Sequence, residues 1–481
     1  MNVYIKYLCC IFVTLSAGLS ANAKIVTYPA PTEVKRNTSF SLEIAENNNG
    51  SWLPVDVYNV MVQDATTPKY IARNTSMAYF DCDCEVNVRV ISNSKTIETA
   101  KVRPLSQSIV PIIDGDTLYF SVMPGQKLSV EINGDIFDNL HLFINPIDEN
   151  APDTKTLKKL KKDKNYIYFG PGFYKVDSLE VKSNQTLYVA GGAVLEGRIL
   201  VKDANNVKIL GRGMIYPQRQ SGIQISRSKN VVVDGLFTTQ CPIGNCDSVL
   251  VKNVKVMSYY NWGDGFNIFA STNIKHDGVF ARTSDDCTTI YCTRLGYTGS
   301  CANITMQNSV LWADVAHPIT IGLHGSFDAS TPDSIVNALY HNIDILDMNE
   351  HQLDYQGALT INAGDNNLVK DIRFEDIRIE DCRKGRLFDI RIPFNKKYCM
   401  APGRGIQDVL FKDIVYDGEN NEVSLIIGYD EAHAIDNLTF EKLRINGKHI
   451  KDDMPEKPKW FKTGDFARIF IGEHVNNVQF K

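Results

Sequence analysis

From about residue 206 onward the chain repeats one short pattern. A small polar residue, usually Asn or Asp, is followed by alternating apolar and polar positions. It runs as Asn206-Val-Lys-Ile-Leu-Gly, Asn230-Val-Val-Val-Asp-Gly, Asn273-Ile-Lys-His-Asp-Gly, Asn303-Ile-Thr-Met-Gln-Asn and Asn342-Ile-Asp-Ile-Leu-Asp. The series goes on with Asp371-Ile-Arg-Phe, Asp408-Val-Leu-Phe, Asn437-Leu-Thr-Phe and Asn477-Val-Gln-Phe. Starts lie 24 to 43 residues apart, and the longest interval is divided by Ser248-Val-Leu-Val-Lys-Asn. Alternation over short segments is a strand signal, because side chains on a strand point to opposite faces in turn. A repeat of this length built only of strands, with Gly and Asn at the corners, predicts an all-β fold, a right-handed parallel β-helix. Each repeat is then one coil. Apolar positions stack into a continuous interior, and the longer insertions leave at corners to wall a groove on the outside.

The preceding part of the chain has a different rhythm. Residues 40–44, 55–62, 86–91 and 127–132 are short β-type segments separated by turn residues, the spacing of a β-sandwich. Residues 46–52 (ENNNGSW) have the composition of a hairpin connection. A lysine-rich stretch at 153–165 reads as a solvated linker or short helix. At the start, Lys6, an apolar run over 7–17 and Ala21-Asn22-Ala23 form a secretory signal pattern with cleavage after Ala23. No later apolar run is long enough to span a bilayer. The expected organisation is a signal peptide at 1–23, a β-sandwich at 24–145, a linker at 146–169 and a β-helix at 170–481. The expected location is secreted or periplasmic.

Composition narrows the chemistry. With 43% apolar and 22% charged residues the chain is not a disordered one. Its 51 basic and 56 acidic side chains give no positive field, which argues against nucleic acid as a partner and for a neutral or mildly ionic substrate. Cys9 and Cys10 fall in the signal, leaving nine cysteines, so at least one thiol stays free. Cys241 and Cys246 bracket a loop and could pair, whereas Cys82 and Cys84 stand too close on one strand. No CxxC pair and no HExxH motif is present, so no metal or other cofactor is expected.

In a β-helix, residues one coil apart stand above one another at about 4.8 Å. Asp264 precedes one short strand and Asp285-Asp286 precede the next, so three carboxylates should meet. Mutual repulsion should then hold a proton on at least one of them near neutrality. A protonated acid beside ionised bases is the equipment of glycoside hydrolysis. His317, before the following strand, extends the column. The aspartates read alternatively as turn caps or a calcium site, and Trp262 and Tyr291 as sugar-stacking or as packing residues.

These segments resemble a known family. Gly263-Asp264-Gly265-Phe266, Ser284-Asp285-Asp286-Cys287 and His317-Pro318-Ile319-Thr320-Ile321-Gly322 are similar to the NTDGF, DDC and HGLSIG motifs of polygalacturonases, glycoside hydrolase family 28. The resemblance implies hydrolysis with inversion, Asp285 as general acid, Asp264 and Asp286 as the residues that activate water, and His317 as a supporting histidine. Two departures stand out: Gly263 replaces the Thr of NTD, and no Arg-x-Lys pair for uronate carboxylates occurs near residues 357–362. Little activity on plain polygalacturonate and more on a neutral or branched glycan is expected, unless Arg386 or Arg391 from the next coil supplies the charge. The accessory β-sandwich, with Asp285-Asp286, Leu311-Trp312 and residues 318–322, also resembles the dextranases and isopullulanases of family 49, which would shift the substrate to a glucan.

The expectation is therefore a polysaccharide-cleaving inverting enzyme, with acid and base carboxyls roughly 6.5 to 9.5 Å apart. Trp262, Asn267, His324, Gln356, Arg386 and Arg391 are expected to border its groove. A calcium-dependent polysaccharide lyase and a noncatalytic glycan-binding β-helix are the alternatives on the same scaffold.

Overall fold

The computed structural model describes residues 24–46, 50–66, 70–216, 219–420 and 422–481. The expected signal peptide, and residues 47–49 of the expected hairpin connection, lie outside them.

Two sheets form the N-terminal sandwich. A five-stranded sheet runs in the order Leu53–Val55, Phe40–Glu46, Val86–Ser92, Thr117–Val122, Ile112–Asp114. In the other, Ile25–Thr27, Ile71–Cys82, Asp135–Pro146, Lys127–Ile132 and Ala100–Arg103 lie side by side, with Tyr58–Asp64 also on Ile71–Cys82. The segment expected as one strand at 55–62 is split: Leu53–Val55 and Tyr58–Asp64 join different sheets. Val86–Ser92 alternates buried and half-buried as a sandwich strand should. Lys127–Ile132 is buried at every position. Its sheet faces the sandwich core on one side and the solenoid on the other.

A helix, Thr154–Leu160, capped by Asp153 accepting from the amides of Lys155 and Thr156, leads into the right-handed parallel β-helix. Among the described residues its sheet has 29 strands, from Tyr166–Phe169 to Val475–Phe480, which pair in parallel from coil to coil except for Lys448–Ile450, a hairpin partner of Leu443–Ile445. The coil rise is visible in a column of stacked rings: Phe374, Phe411, Phe440 and Phe480 follow one another at 4.8 to 4.9 Å between centroids. The small polar residue that opens each repeat turns a corner in the left-handed region, as Asn206, Asn230, Asn273, Asn303, Asp371, Asp408, Asn437 and Asn477 all have φ between 56° and 61° or close to it. Asn and Asp tolerate that region better than other residues carrying a Cβ. Their side chains then bond coil to coil, Asn303 donating to Asn273 at 3.0 Å and Asn477 to Asn437 at 2.8 Å. Asn342 is an exception to the reading above. The rung above Asn303 is Asn337, whereas Asn342 sits five residues on, in a second ladder above Asn308.

The sandwich covers one flank of the solenoid. Tyr58, Val60, Met77 and Phe143 pack with Val194, Phe237, Phe280 and Trp312 in one cluster. Buried ion pairs cross or border this contact. Arg282, fully buried, donates to Asp314 at 2.8 and 3.1 Å and to Asn139 at 3.2 Å, and lies 3.8 Å over the Trp312 ring. Arg212 pairs with Asp81, and Arg103 with Glu131 and Glu380. All nine cysteines among the described residues are free, Cys241 and Cys246 included, so that expected bridge is not formed. No helix among the described residues is long and apolar enough to cross a membrane.

Candidate active site

One flank of the solenoid carries short, fully buried strands: Phe266–Phe269, Thr288–Tyr291, Ile319–Gly322 and Leu359–Asn362. Phe266 is opposite Thr288, and Thr289 opposite Thr320. The chain just before each strand is held in the same register, because Gly265 N bonds Asp286 O at 2.9 Å and Cys287 N bonds His317 O at 2.8 Å. Asp264, Asp286 and His317 therefore form one column, and Asp285 stands beside it. The glycines flanking Asp264 are required by this closeness: a Cβ on Gly263 would collide with Ser284 Oγ, and one on Gly265 with the Cys287 carbonyl. The absence of Thr at position 263 thus has a steric cause.

Asp264, Asp285 and Asp286 each bring an oxygen within 4.8 Å of the others. These nearest oxygens are closer than the 6.5 to 9.5 Å expected between acid and base carboxyls, because Asp285 and Asp286 are consecutive residues and Asp264 stands one coil away. Burial, then the charge of Asp286, pushes the Asp264 carboxyl up to about 7. Asp285 is raised well above the ordinary carboxylate range by burial, then by Asp264 and Asp286. Asp286 is the best-bonded of the three. It accepts from His317 Nδ1 at 2.7 Å, from His317 N at 3.1 Å and from the Tyr291 hydroxyl at 3.0 Å. For the fully buried His317, burial works against the imidazolium, but Asp286, with Glu350 and Asp389 further off, raises its pKa overall. The Tyr355 ring meets the imidazole edge-on at 4.2 Å and stacks on Tyr398 at 4.5 Å. His317 so stands behind Asp286 and orients it.

A cation on these three oxygens would have little help. Calcium takes six to eight oxygens, and Asp286 already serves His317 and Tyr291.

The cluster lies in a groove of about 850 Å³, which Trp262, Asn267 and His324 border as expected from the sequence. Trp262 is 79% exposed and has φ 59°, a strained conformation for a bulky residue and one found mostly where function imposes it. Tyr291 lines the groove floor, largely buried and bonded through its hydroxyl to Asp286. Gln356, Arg386 and Arg391 are not on the groove wall. Gln356 is fully buried between the Glu350 carbonyl and Arg386. Arg386 donates to Leu353 O at 3.0 Å and Gln356 Oε1 at 2.9 Å. Arg391 grips both oxygens of Asp389 at 2.7 and 2.8 Å and donates to Asp354 O. Neither guanidinium lines the groove: Arg391 is held by the buried Asp389, and Arg386 by Leu353 O and Gln356, with its Nε and Nη1 left without a hydrogen-bond partner.

Several groove residues gave no sequence signal. Tyr70 comes from the sandwich, and Glu350, Tyr355 and Tyr398 come from insertions between coils. Arg294 sits on a turn just past Asp285-Asp286, and its NH1 lies 3.2 Å from His324 Nδ1. Only the Arg294 position was within reach of the motif, as the first loop after the paired aspartates.

No family model matches the chain, and no curated protein does. Solved structures do match. Dex49A from Penicillium minioluteum is similar at a TM-score of 0.52 and 13% identity, over 93% of this chain and 96% of its own. A family 28 exopolygalacturonase from Yersinia enterocolitica is similar at a TM-score of 0.51 and 12% identity, over 82% of this chain and 96% of its own. At such identities the likeness is one of fold. It is to the same two groups that the motifs resemble, families 28 and 49.

Proposed function

We propose that this chain is an exported glycoside hydrolase that cleaves a polysaccharide with inversion. The observation that carries the reading is the Asp264, Asp285 and Asp286 cluster in an open groove, with Asp286 oriented by His317 and Tyr291 and the other two carboxyls biased toward holding a proton. Asp285, whose carboxyl is raised by burial and by both neighbouring aspartates, protonates the leaving glycosidic oxygen. Asp264 and Asp286 hold a water between them, and Asp286, oriented by His317 and Tyr291, takes its proton as it attacks the anomeric carbon from the opposite face. The close oxygens alone match the spacing of a retaining pair. Inversion rests on the third carboxylate, which leaves two to share the water, and on the family 28 resemblance.

The groove also bears on the substrate. Its wall among the described residues holds four carboxylates, Glu350 being the fourth, and one arginine. With Arg386 and Arg391 bonded elsewhere, a uronate carboxylate would be desolvated beside like charges, at a cost of several kcal/mol. A neutral or sparsely charged glycan fits this wall better than polygalacturonate, and a glucan of the kind implied by the family 49 resemblance is the alternative within that class.

The test is a screen of the purified protein against pectic and glucan polysaccharides. Reducing ends should appear without an unsaturated, ultraviolet-absorbing product, which a lyase would make. Asp285→Asn should lower turnover by roughly 10² or more while the protein stays folded, with a melting temperature at neutral pH no lower than that of the wild type; full activity in this variant sinks the assignment. Proton NMR of the first-formed anomer separates inversion from retention. Polygalacturonate as the best substrate would refute the electrostatic argument while leaving the aspartates in place.

A further inference from the structure

A hairpin over residues 293–300 stands at the rim of the groove, between Thr288–Tyr291 and Cys301–Ala313. Its turn is built on two successive left-handed residues, Leu295 at φ 50° and Gly296 at φ 82°, and closed by reciprocal bonds of 2.9 Å between Arg294 and Tyr297. Arg294 and Leu295 face the groove. Tyr297 stacks beneath, 5.7 Å from the Phe269 ring. A cysteine stands at each foot of this hairpin. Cys301 Sγ lies 3.3 Å from the Tyr291 carbonyl, the peptide that leads into Cys292. The Cys292 thiol donates to the Ser334 carbonyl at 3.5 Å and, after burial, is raised chiefly by its neighbour Cys301.

We propose that Cys292 and Cys301 are a disulfide site, oxidised when the exported chain folds, and that the bond closes the base of the hairpin carrying Arg294. The proposal rests on the export reading, not on which glycan is cleaved. Two thiols exchange with one external disulfide, of a dithiol oxidoreductase or of oxidised glutathione. One S–S bond forms between Cys292 and Cys301, the external S–S bond breaks, and both electrons and both protons leave with the reduced partner. Both cysteines are buried, and burial raises the Cys292 thiol well above its ordinary value, so the reactive thiolate is scarce once the coil has closed. Oxidation therefore belongs to the folding chain. In the folded protein the bond limits the freedom of a short ring and holds Arg294 against His324 before any ligand arrives.

The test exports the full-length precursor into an oxidising compartment, then quenches with acid, alkylates under denaturing conditions and digests with a protease that cuts after Arg294. Seven of the nine thiols should alkylate, and the peptides ending at Arg294 and beginning at Leu295 should stay joined until a reductant is added. Alkylation of all nine, or a bond joining any other two cysteines, overturns the proposal. A second measurement uses Cys292→Ser/Cys301→Ser: reductant should lower the melting midpoint of the wild type and leave that of the variant unmoved. An equal response of both proteins to reductant also overturns it.

Discussion

Replacing Asp264 by Asn should make the protein more stable and less active, with a pH dependence set by the carboxylate cluster. The Asp264 carboxyl is pushed from 3.8 to about 7, first by burial and then by Asp286. Between those values the folded chain keeps a proton that the unfolded chain has lost, so stability falls as pH rises through this window and levels off above it. Asn carries no such proton. The variant should therefore match the wild type below about pH 4 and gain on it progressively up to about pH 7. One pKa unit corresponds to about 1.4 kcal/mol, so the ceiling of the gain is about 4 kcal/mol. Asp285 shares the same repulsion and is relieved by the same substitution, so about half of that ceiling, near 2 kcal/mol, is the expected value. Turnover should fall by roughly 10² because one of the two water-activating groups is gone. Urea unfolding of both proteins at several pH values, with reducing-end rates alongside, measures both effects. A stability difference that does not change with pH, or a variant less stable than wild type above neutrality, would refute the account of the cluster.

Three further outcomes follow from the buried charges. Glu350→Gln removes one of the charges supporting the His317 imidazolium, so the His317 pKa should fall when followed by ring-proton NMR; an unchanged titration would show that the two groups do not sense each other. His276, whose two ring nitrogens are buried without partners, is pushed down to about 3 by burial. The folded state then refuses a proton that the unfolded state takes below about pH 6.5, so His276→Leu should gain stability over wild type on acidification, and an equal melting difference at neutral and acid pH would contradict this. Arg282→Met should cost about 3 to 5 kcal/mol by leaving Asp314 buried against Arg383 alone, and Arg282→Met/Asp314→Asn should recover part of the loss in urea unfolding.

Much of the architecture was legible along the chain because a solenoid is nearly one-dimensional. Each coil contacts its neighbours, so a repeat such as Asn273-Ile-Lys-His against Asn303-Ile-Thr-Met already states which residues stack. The same regularity placed Asp264 over Asp286 and ahead of His317, since their offsets from the next strand are equal. Where two left-handed corners occur five residues apart in one coil, the pattern is ambiguous, and Asn342 was assigned to the ladder that Asn337 occupies. The carboxylate spacing and the groove wall lay beyond that logic. One oxygen from each of Asp264, Asp285 and Asp286 comes within 4.8 Å of the others, although only Asp264 stands on a different coil. Tyr70 reaches the groove only because a second sheet packs its outer face on the solenoid, a contact between segments with no common period. The fate of Arg386 and Arg391 was the least visible of all. Their place in the chain gives a coil and a strand, but whether a guanidinium faces a ligand or a buried carboxylate depends on Asp389, Gln356 and the Leu353 and Asp354 carbonyls being brought around it. The sequence alone determined the coil and the column of Asp264, Asp286 and His317. Tertiary packing decided which charges were left free to meet a substrate, because neutralising a buried charge requires partners from several segments at once.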